Sequence, residues 1–296
     1  MTRTLLAATD FSAPARHALE RAALLAQAHP DARLMLAHVV SATALDRLRR
    51  LLPGEAGKME AGLLAQAEQD LSEVASALAS RYAGRIETEI ALGSALSVLA
   101  DLTETHDADL LVMGARGAHF VREMLLGSTT ERVLRKLRRP LLAVKQRAQT
   151  PYRRILAPVD FSTHAAAAIR VAHAWIPDAE IVLLHAFEVE LESTFRLAGL
   201  AEERIHEYRI QAREAAVAEM EIFAATLGVP AEQLSRQVVH GAPTLRIIEH
   251  EQTMDADLIV MGKHGLSVME ELLLGSVTKH VLSHSTSDVL VTGQPS

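Results

Sequence analysis

Two spacings of apolar residues alternate along the chain. Compact, largely apolar runs have the character of strands buried on both faces, and the stretches between them place apolar residues three and four apart, as amphipathic helices do. The runs in the first half are RTLLAAT (3–9), ARLMLAHVV (32–40), RIETEIALG (85–93), ADLLVMG (108–114) and PLLAVKQ (140–146). Helices are predicted over 13–28, 59–79 and 94–105, with another after Gly127. The second half repeats the set: RRILAPVDFS (153–162), AEIVLLHAF (179–187), SRQVVHG (235–241), ADLIVMG (256–262) and DVLVTGQ (288–294), with helices over 163–175, 201–227 and 243–252.

The order β-α-β-α-β-α-β-α-β therefore occurs twice, and the pattern breaks over 147–151. This predicts an α/β protein of two domains, 1–147 and 151–296, each a parallel sheet flanked by helices. The first strand of each half runs into Asp10-Phe11-Ser12 or Asp160-Phe161-Ser162. Ser12 with Pro14, and Ser162, mark helix starts, so each junction is a strand-to-helix turn of a doubly wound sheet. A carboxylate at that strand end could meet ribose hydroxyls or water around a phosphate-bound Mg²⁺, or could simply close the turn. His38 and His185 near the second strand ends read as structural. The halves match least over 41–83 and 188–228, where 45–57 and 191–199 look like excursions and Arg47, Arg49 and Arg50 form a solvated face.

The longest shared stretch is GARGAHFVREMLLGSTTERVL, which begins at Gly114 and returns as GKHGLSVMEELLLGSVTKHVL from Gly262. Both copies hold Gly-x2-Gly-x9-Gly-Ser: Gly114, Gly117, Gly127, Ser128 and Gly262, Gly265, Gly275, Ser276. Glycine turns let backbone N–H groups approach a ligand with no Cβ in the way. The spacer reads as helical, with Val121, Met124 and Leu125 matched by Met269, Leu272 and Leu273. A second helix is expected to open with Ser128 at its N-cap, and a helix N-terminus favours phosphate. Ser128-x-x-Glu131 is equally a capping box serving only its own helix; the second copy has Lys279 instead and lacks the box. Arg116 and His264 sit at matching places, where each could touch phosphate or lie exposed.

Composition narrows the classes. With no Cys there is no disulfide framework and no thiolate nucleophile or metal site. A formal net charge of −7 argues against a nucleic-acid binder. The N-terminal apolar run is too short for a signal peptide and no stretch reaches membrane-spanning length, so a soluble, cytoplasmic protein is expected. The chain lacks Gly-x4-Gly-Lys-Ser/Thr, His-Glu-x-x-His and Gly-x-Ser-x-Gly, and no Gly-x-Gly-x-x-Gly follows the first strand. The 14 His show no ligand spacing, so no metal site is expected.

On Gly-x2-Gly-x9-Gly-Ser after an apolar strand, and above all on LLLGSVTKHVL, the chain resembles the universal stress protein family of ATP-binding type, in tandem. The resemblance implies two Rossmann-like domains of the adenine nucleotide alpha hydrolase kind, each with strand order 3-2-1-4-5. It implies one ATP, or another adenine nucleotide, per domain, with Mg accompanying it. The first site would draw on Ala8, Thr9, Asp10, Met113, Gly114, Arg116, Gly117, Gly127, Ser128, Thr129 and Thr130. The second would draw on Pro158, Val159, Asp160, Met261, Gly262, His264, Gly265, Gly275, Ser276, Val277 and Thr278. Backbone at Val39 and Ala186 would hold adenine. The implied role is regulatory rather than catalytic, with at most slow incidental ATP hydrolysis. Fifth strands that pair in the family would make an intramolecular pseudo-dimer here, with a further homodimer as an option and no protein partner named. The alternatives are a nucleotide-independent interaction module of the same fold, an ATP-consuming enzyme built on Asp10 or Asp160, and a chain in which one site alone is filled.

Overall fold

The computed structural model describes residues 3–51, 55–116, 127–189, 192–199, 201–265 and 274–293. The chain divides into two compact units, Met1–Pro151 and Tyr152–Ser296. In the first, the elements run β1 (Thr4–Thr9), α1 (Ala13–Gln27), β2 (Arg33–Ser41), α2 (Ala42–Leu51), α3 (Ala56–Ala79), β3 (Arg85–Gly93), α4 (Ala95–Thr105), β4 (Leu110–Gly114), α5 (Ser128–Lys136) and β5 (Leu141–Val144). In the second they run β6 (Arg154–Pro158), α6 (Thr163–Trp175), β7 (Glu180–Phe187), α7 (Glu192–Leu197), α8 (Glu202–Ala225), β8 (Leu234–His240), α9 (Pro243–Met254), β9 (Leu258–Gly262), α10 (Ser276–His284) and β10 (Asp288–Thr292).

Within each unit the strands pair in parallel, in the order β3-β2-β1-β4-β5 and β8-β7-β6-β9-β10. Every residue of β1, β4 and β5 is buried, which is why these strands read as unbroken apolar runs. β3 is only half-buried and carries Glu87 and Glu89, which meet Arg33 and His106. The core is aliphatic, and alanines fill the tight space between helix and sheet: Ala15, Ala18, Ala22, Ala23 and Ala26 of α1 are all buried. Aromatics at 3% therefore suffice.

Ser12 and Ser162 cap α1 and α6, their hydroxyls accepting from the N–H of Ala15 at 3.3 Å and of Ala165 at 3.2 Å. A role not expected from the sequence falls to the aspartates of ADLLVMG and ADLIVMG. Asp109 accepts from the Thr4 N–H at 2.8 Å and Asp257 from the Arg154 N–H at 2.9 Å, which pins the start of the first strand to the start of the fourth. The excursions expected at 45–57 and 191–199 are partly helical where described, α2 ending at Leu51 and α7 covering Glu192–Leu197. The predicted spacer helix, with Val121, Met124, Leu125, Met269, Leu272 and Leu273, lies outside the described residues, as does Gly117.

The strand order turns back between β1 and β4, and again between β6 and β9. Chains leave the sheet in opposite directions there, which opens a crevice at the carboxyl ends of the strands. The loops after β1 and β4, and after β6 and β9, meet at that point.

Candidate functional site

The loop after the first strand is built alike in both units. The Asp10 carboxylate accepts from the Ser12 N–H at 3.0 Å and Asp160 from the Ser162 N–H at 3.1 Å, turning the chain into the helix. Between them Phe11 and Phe161 take positive φ, 61° and 62°. Such backbone costs a bulky residue about 1–2 kcal/mol. The rings compensate: Phe11 packs on His38 with centroids 4.4 Å apart, and Phe161 on His185 at 4.3 Å. Each imidazole is anchored in turn, Nδ1 donating to the carbonyl of Thr9 or Val159 at 2.8 Å. A carbonyl can only accept, so Nδ1 carries the proton. His38 and His185 thus hold the turn in shape.

The glycine element aims a helix N-terminus at the same place. The Thr130 hydroxyl donates to the Gly114 carbonyl at 3.0 Å and the Thr278 hydroxyl to the Gly262 carbonyl at 2.9 Å. The Gly127 N–H donates to the Ala115 carbonyl at 2.7 Å and the Gly275 N–H to that of Lys263 at 3.0 Å. The expected N-cap is corrected by one residue. Gly127 and Gly275 are the caps, with no side-chain capping bond, and Ser128 and Ser276 are the first helical residues. A serine at that position cannot close a capping box, so the box reading of Ser128 and Glu131 fails on backbone position. Ser276 is exposed to the crevice.

The glycines of the second copy divide into different jobs. A Cβ on Gly262 would fall 2.8 Å from the His164 Cβ and 3.1 Å from the His264 carbonyl oxygen, so this glycine lets α6 pack against the end of β9. One on Gly265 would fall 2.7 Å from the Asp160 carboxylate. Gly275 differs: its φ of −56° suits any residue, and the nearest protein atom to an added Cβ, the Lys263 carbonyl oxygen, lies at 3.4 Å, an ordinary contact. Among the described residues no backbone angle or close contact requires a glycine there. Its bare face lines a cavity.

That cavity, about 310 Å³, sits in the second unit and collects every residue singled out there from the sequence: Pro158, Val159, Asp160, Ala186, Met261, Gly262, His264, Gly265, Gly275, Ser276, Val277 and Thr278. Ala165, Leu184, His185, Pro243 and Ile247 complete the wall. Pro243 and Ile247, missed in the sequence, form one apolar face at the start of α9; their signal was a helix-opening proline with an isoleucine four residues on. In the first unit Ala8, Thr9, Met113, Gly114 and Thr130 are buried around the same loops, Val39, Arg116 and Gly127 are half-buried, and Asp10 and Thr129 are exposed. Of Ser128 only the backbone is described. A pocket of this size, mostly apolar, with one carboxylate and a helix N-terminus converging on it, suits a small anionic ligand that carries a flat apolar part.

Among the described residues no cluster of three or more His, Asp or Glu could hold a metal ion, and no helix is long and apolar enough to cross a membrane.

A sequence model of the Universal stress protein family matches residues 1–145 and again residues 151–293. A universal stress protein of Mycolicibacterium smegmatis is 26% identical over 302 residues, spanning 97% of this chain and 96% of the relative. A universal stress protein of Methanocaldococcus jannaschii is 33% identical over 152 residues, which is 47% of this chain and 94% of that one. Among solved structures, a universal stress protein from Archaeoglobus fulgidus superposes with a TM-score of 0.65 at 20% identity and 99% coverage of both chains, a likeness of fold. Two matches of one family model, nearly filling the chain, show that it belongs to the Universal stress protein family, as a tandem of two such domains.

Proposed function

We propose that this chain binds an adenine nucleotide, ATP with its Mg²⁺, in each half, and acts through that occupancy as a stress-response regulator rather than through turnover. The observation that carries the proposal is Gly275, a glycine that neither backbone angle nor neighbouring atoms demand, whose missing side chain faces the cavity. Glycine is a favoured N-cap, and close approach of a ligand to the backbone accounts in addition for its bare face being turned to the cavity. The phosphates belong at the N-termini of α5 and α10, where the backbone N–H groups of the first helical residues, Ser128 and Thr129 or Ser276 and Val277, have no carbonyl of their own helix to bond. Arg116 and His264 stand beside them. The ribose belongs near Asp10 and Asp160, and adenine along the backbone at Val39 and Ala186, against Pro243 and Ile247 in the second half. The nucleotide brings its phosphate charge and Mg²⁺; the chain's residues orient it and hold it. In the second wall Asp160 closes the β6 turn, His185 is held by Val159 and His264 stands at the phosphate end, and none is paired with a nucleophile in the wall, so we assign the site no reaction. We also assign the halves as domains 1–147 and 151–296.

The test is nucleotide content and equilibrium binding of Mg-ATP by the full chain, beside Gly127→Ala and Gly275→Ala. Two nucleotides per chain, with one lost in each variant, is the expected result. Protein that is empty as purified and takes up no added Mg-ATP would overturn the assignment and leave an interaction module of this fold.

A further inference from the structure

The two halves present different cations at the same point of the glycine loop, and this has a consequence for how they hold an anion. Arg116 and His264 each precede the second glycine of the motif. A guanidinium stays charged at any pH a folded protein meets, whereas an imidazole changes charge near neutrality. Resting on the nucleotide assignment above, we propose that the second half takes up a proton with its nucleotide, through His264, and that the first half, built on Arg116, does not.

The placement of His264 supports this. It is 8% exposed and lines the cavity between Gly262 and Gly265, beside the N-terminus of α10. The groups around it come from every side of the crevice. From α6 comes His164, whose ring lies edge-on to that of His264 with centroids 6.2 Å apart. From the β6 loop comes the Asp160 carboxylate, packed over Gly265. From β7 comes His185, whose Nδ1–H is held by the Val159 carbonyl. Lys263 is its buried neighbour on the loop, and Lys279 is exposed on α10. The first half has Pro14 in place of His164 and Ala115 in place of Lys263. Titratable imidazoles are thus concentrated at the anion end of the second site.

The sign follows from electrostatics. A polyphosphate adds several negative charges beside a buried ring, which favours the imidazolium and raises its pKa on binding. A group whose pKa rises on binding takes up a proton, so affinity at this site strengthens as pH falls from about 8 to about 6, by at most ~10-fold per pH unit per proton. The first site lacks this coupling.

The test is calorimetric titration of the full chain with Mg-ATP in two buffers of different ionisation enthalpy, which counts protons taken up per nucleotide. His264→Arg is expected to lower the protons taken up per nucleotide bound at the second site by up to about one and to flatten the pH dependence of that site, whatever its effect on affinity. The reciprocal Arg116→His is expected to add uptake at the first site. Should His264→Arg disturb folding, His264→Gln removes the titrating group with a smaller, neutral side chain and must lower the count likewise. Unchanged proton uptake in all three variants, with two nucleotides still bound, overturns the inference and leaves the nucleotide assignment standing. Failure of every form, wild type included, to bind Mg-ATP at any pH overturns both.

Discussion

At the scale of single residues, glycines that look interchangeable in the motif are predicted to respond oppositely to the same substitution. Gly262→Ala forces a methyl into the His164 Cβ and nearby backbone, and is expected to cost about 1–3 kcal/mol. Gly275→Ala meets only ordinary contacts and an allowed backbone, so stability should stay within about 1 kcal/mol of wild type. Nucleotide binding by the second half should nevertheless be lost. Chemical-denaturation midpoints read beside nucleotide stoichiometry separate the two cases. The sequence showed that glycine recurs in register in both copies. It did not show why, because a spacing pattern carries no record of what each absent side chain would strike. The same limit applies to His38 and His185. Their matched positions were legible, but their service to a positive-φ phenylalanine depends on a dihedral angle that residue type does not announce.

At the scale of elements, the strands were the most legible part of the chain. Burial on both faces leaves an unbroken apolar run, as in LLVMG and LIVMG, with little room for another interpretation. The short helices α2 and α7 were not legible: ATALDRLRRL leaves only Leu45 buried and Leu48 half-buried, too few apolar positions for a period, and ESTFRL is six residues, under two turns. The one-residue error at Ser128 arose because a glycine before a serine hides the cap behind the better-known capping residue. What fixes α10 is tertiary, the Thr278 hydroxyl on the Gly262 carbonyl. Thr278→Val keeps the shape and removes that donor, so it should cost about 1–2 kcal/mol and weaken nucleotide binding without changing helix content. Circular dichroism with a binding titration would show it. A second prediction concerns α7, which Glu192 fastens to Arg209 of α8 and, at 3.0 Å, to the His240 Nε2 of β8. The Arg209 hydrogen bond, opposed by burial and aided by the charges of Arg209 and His240, lowers the Glu192 carboxyl from 4.5 to about 2. A depressed folded-state pKa means a contribution present above about pH 4.5 that drains away as pH falls towards 2. The stability gap between wild type and Glu192→Gln should therefore be constant near neutrality and narrow steadily in acid, as measured by urea midpoints across pH.

At the scale of the whole molecule, the duplication makes each half a control for the other. Both units have an aliphatic core, a switch point in the sheet and a strand-end carboxylate. With a net charge of −7 the chain has no overall attraction for anions, so the proposed nucleotides would rely on the local fields of two helix N-termini. If each half holds its own nucleotide, stabilisation by ligand must be local first: a bound species protects the structure it touches by RT ln(1 + [L]/Kd), about 2.7 kcal/mol at 100 times Kd. Hydrogen exchange resolved by peptide can see this. In the wild-type chain, saturating Mg-ATP should slow exchange at the strand ends of both units, around β1 and β4 and around β6 and β9. In Gly275→Ala the first set should be slowed as before and the second left at its ligand-free rate. Loss of protection in both sets would mean that the halves bind as one, and equal protection in both would show that Gly275 is not where the ligand lies.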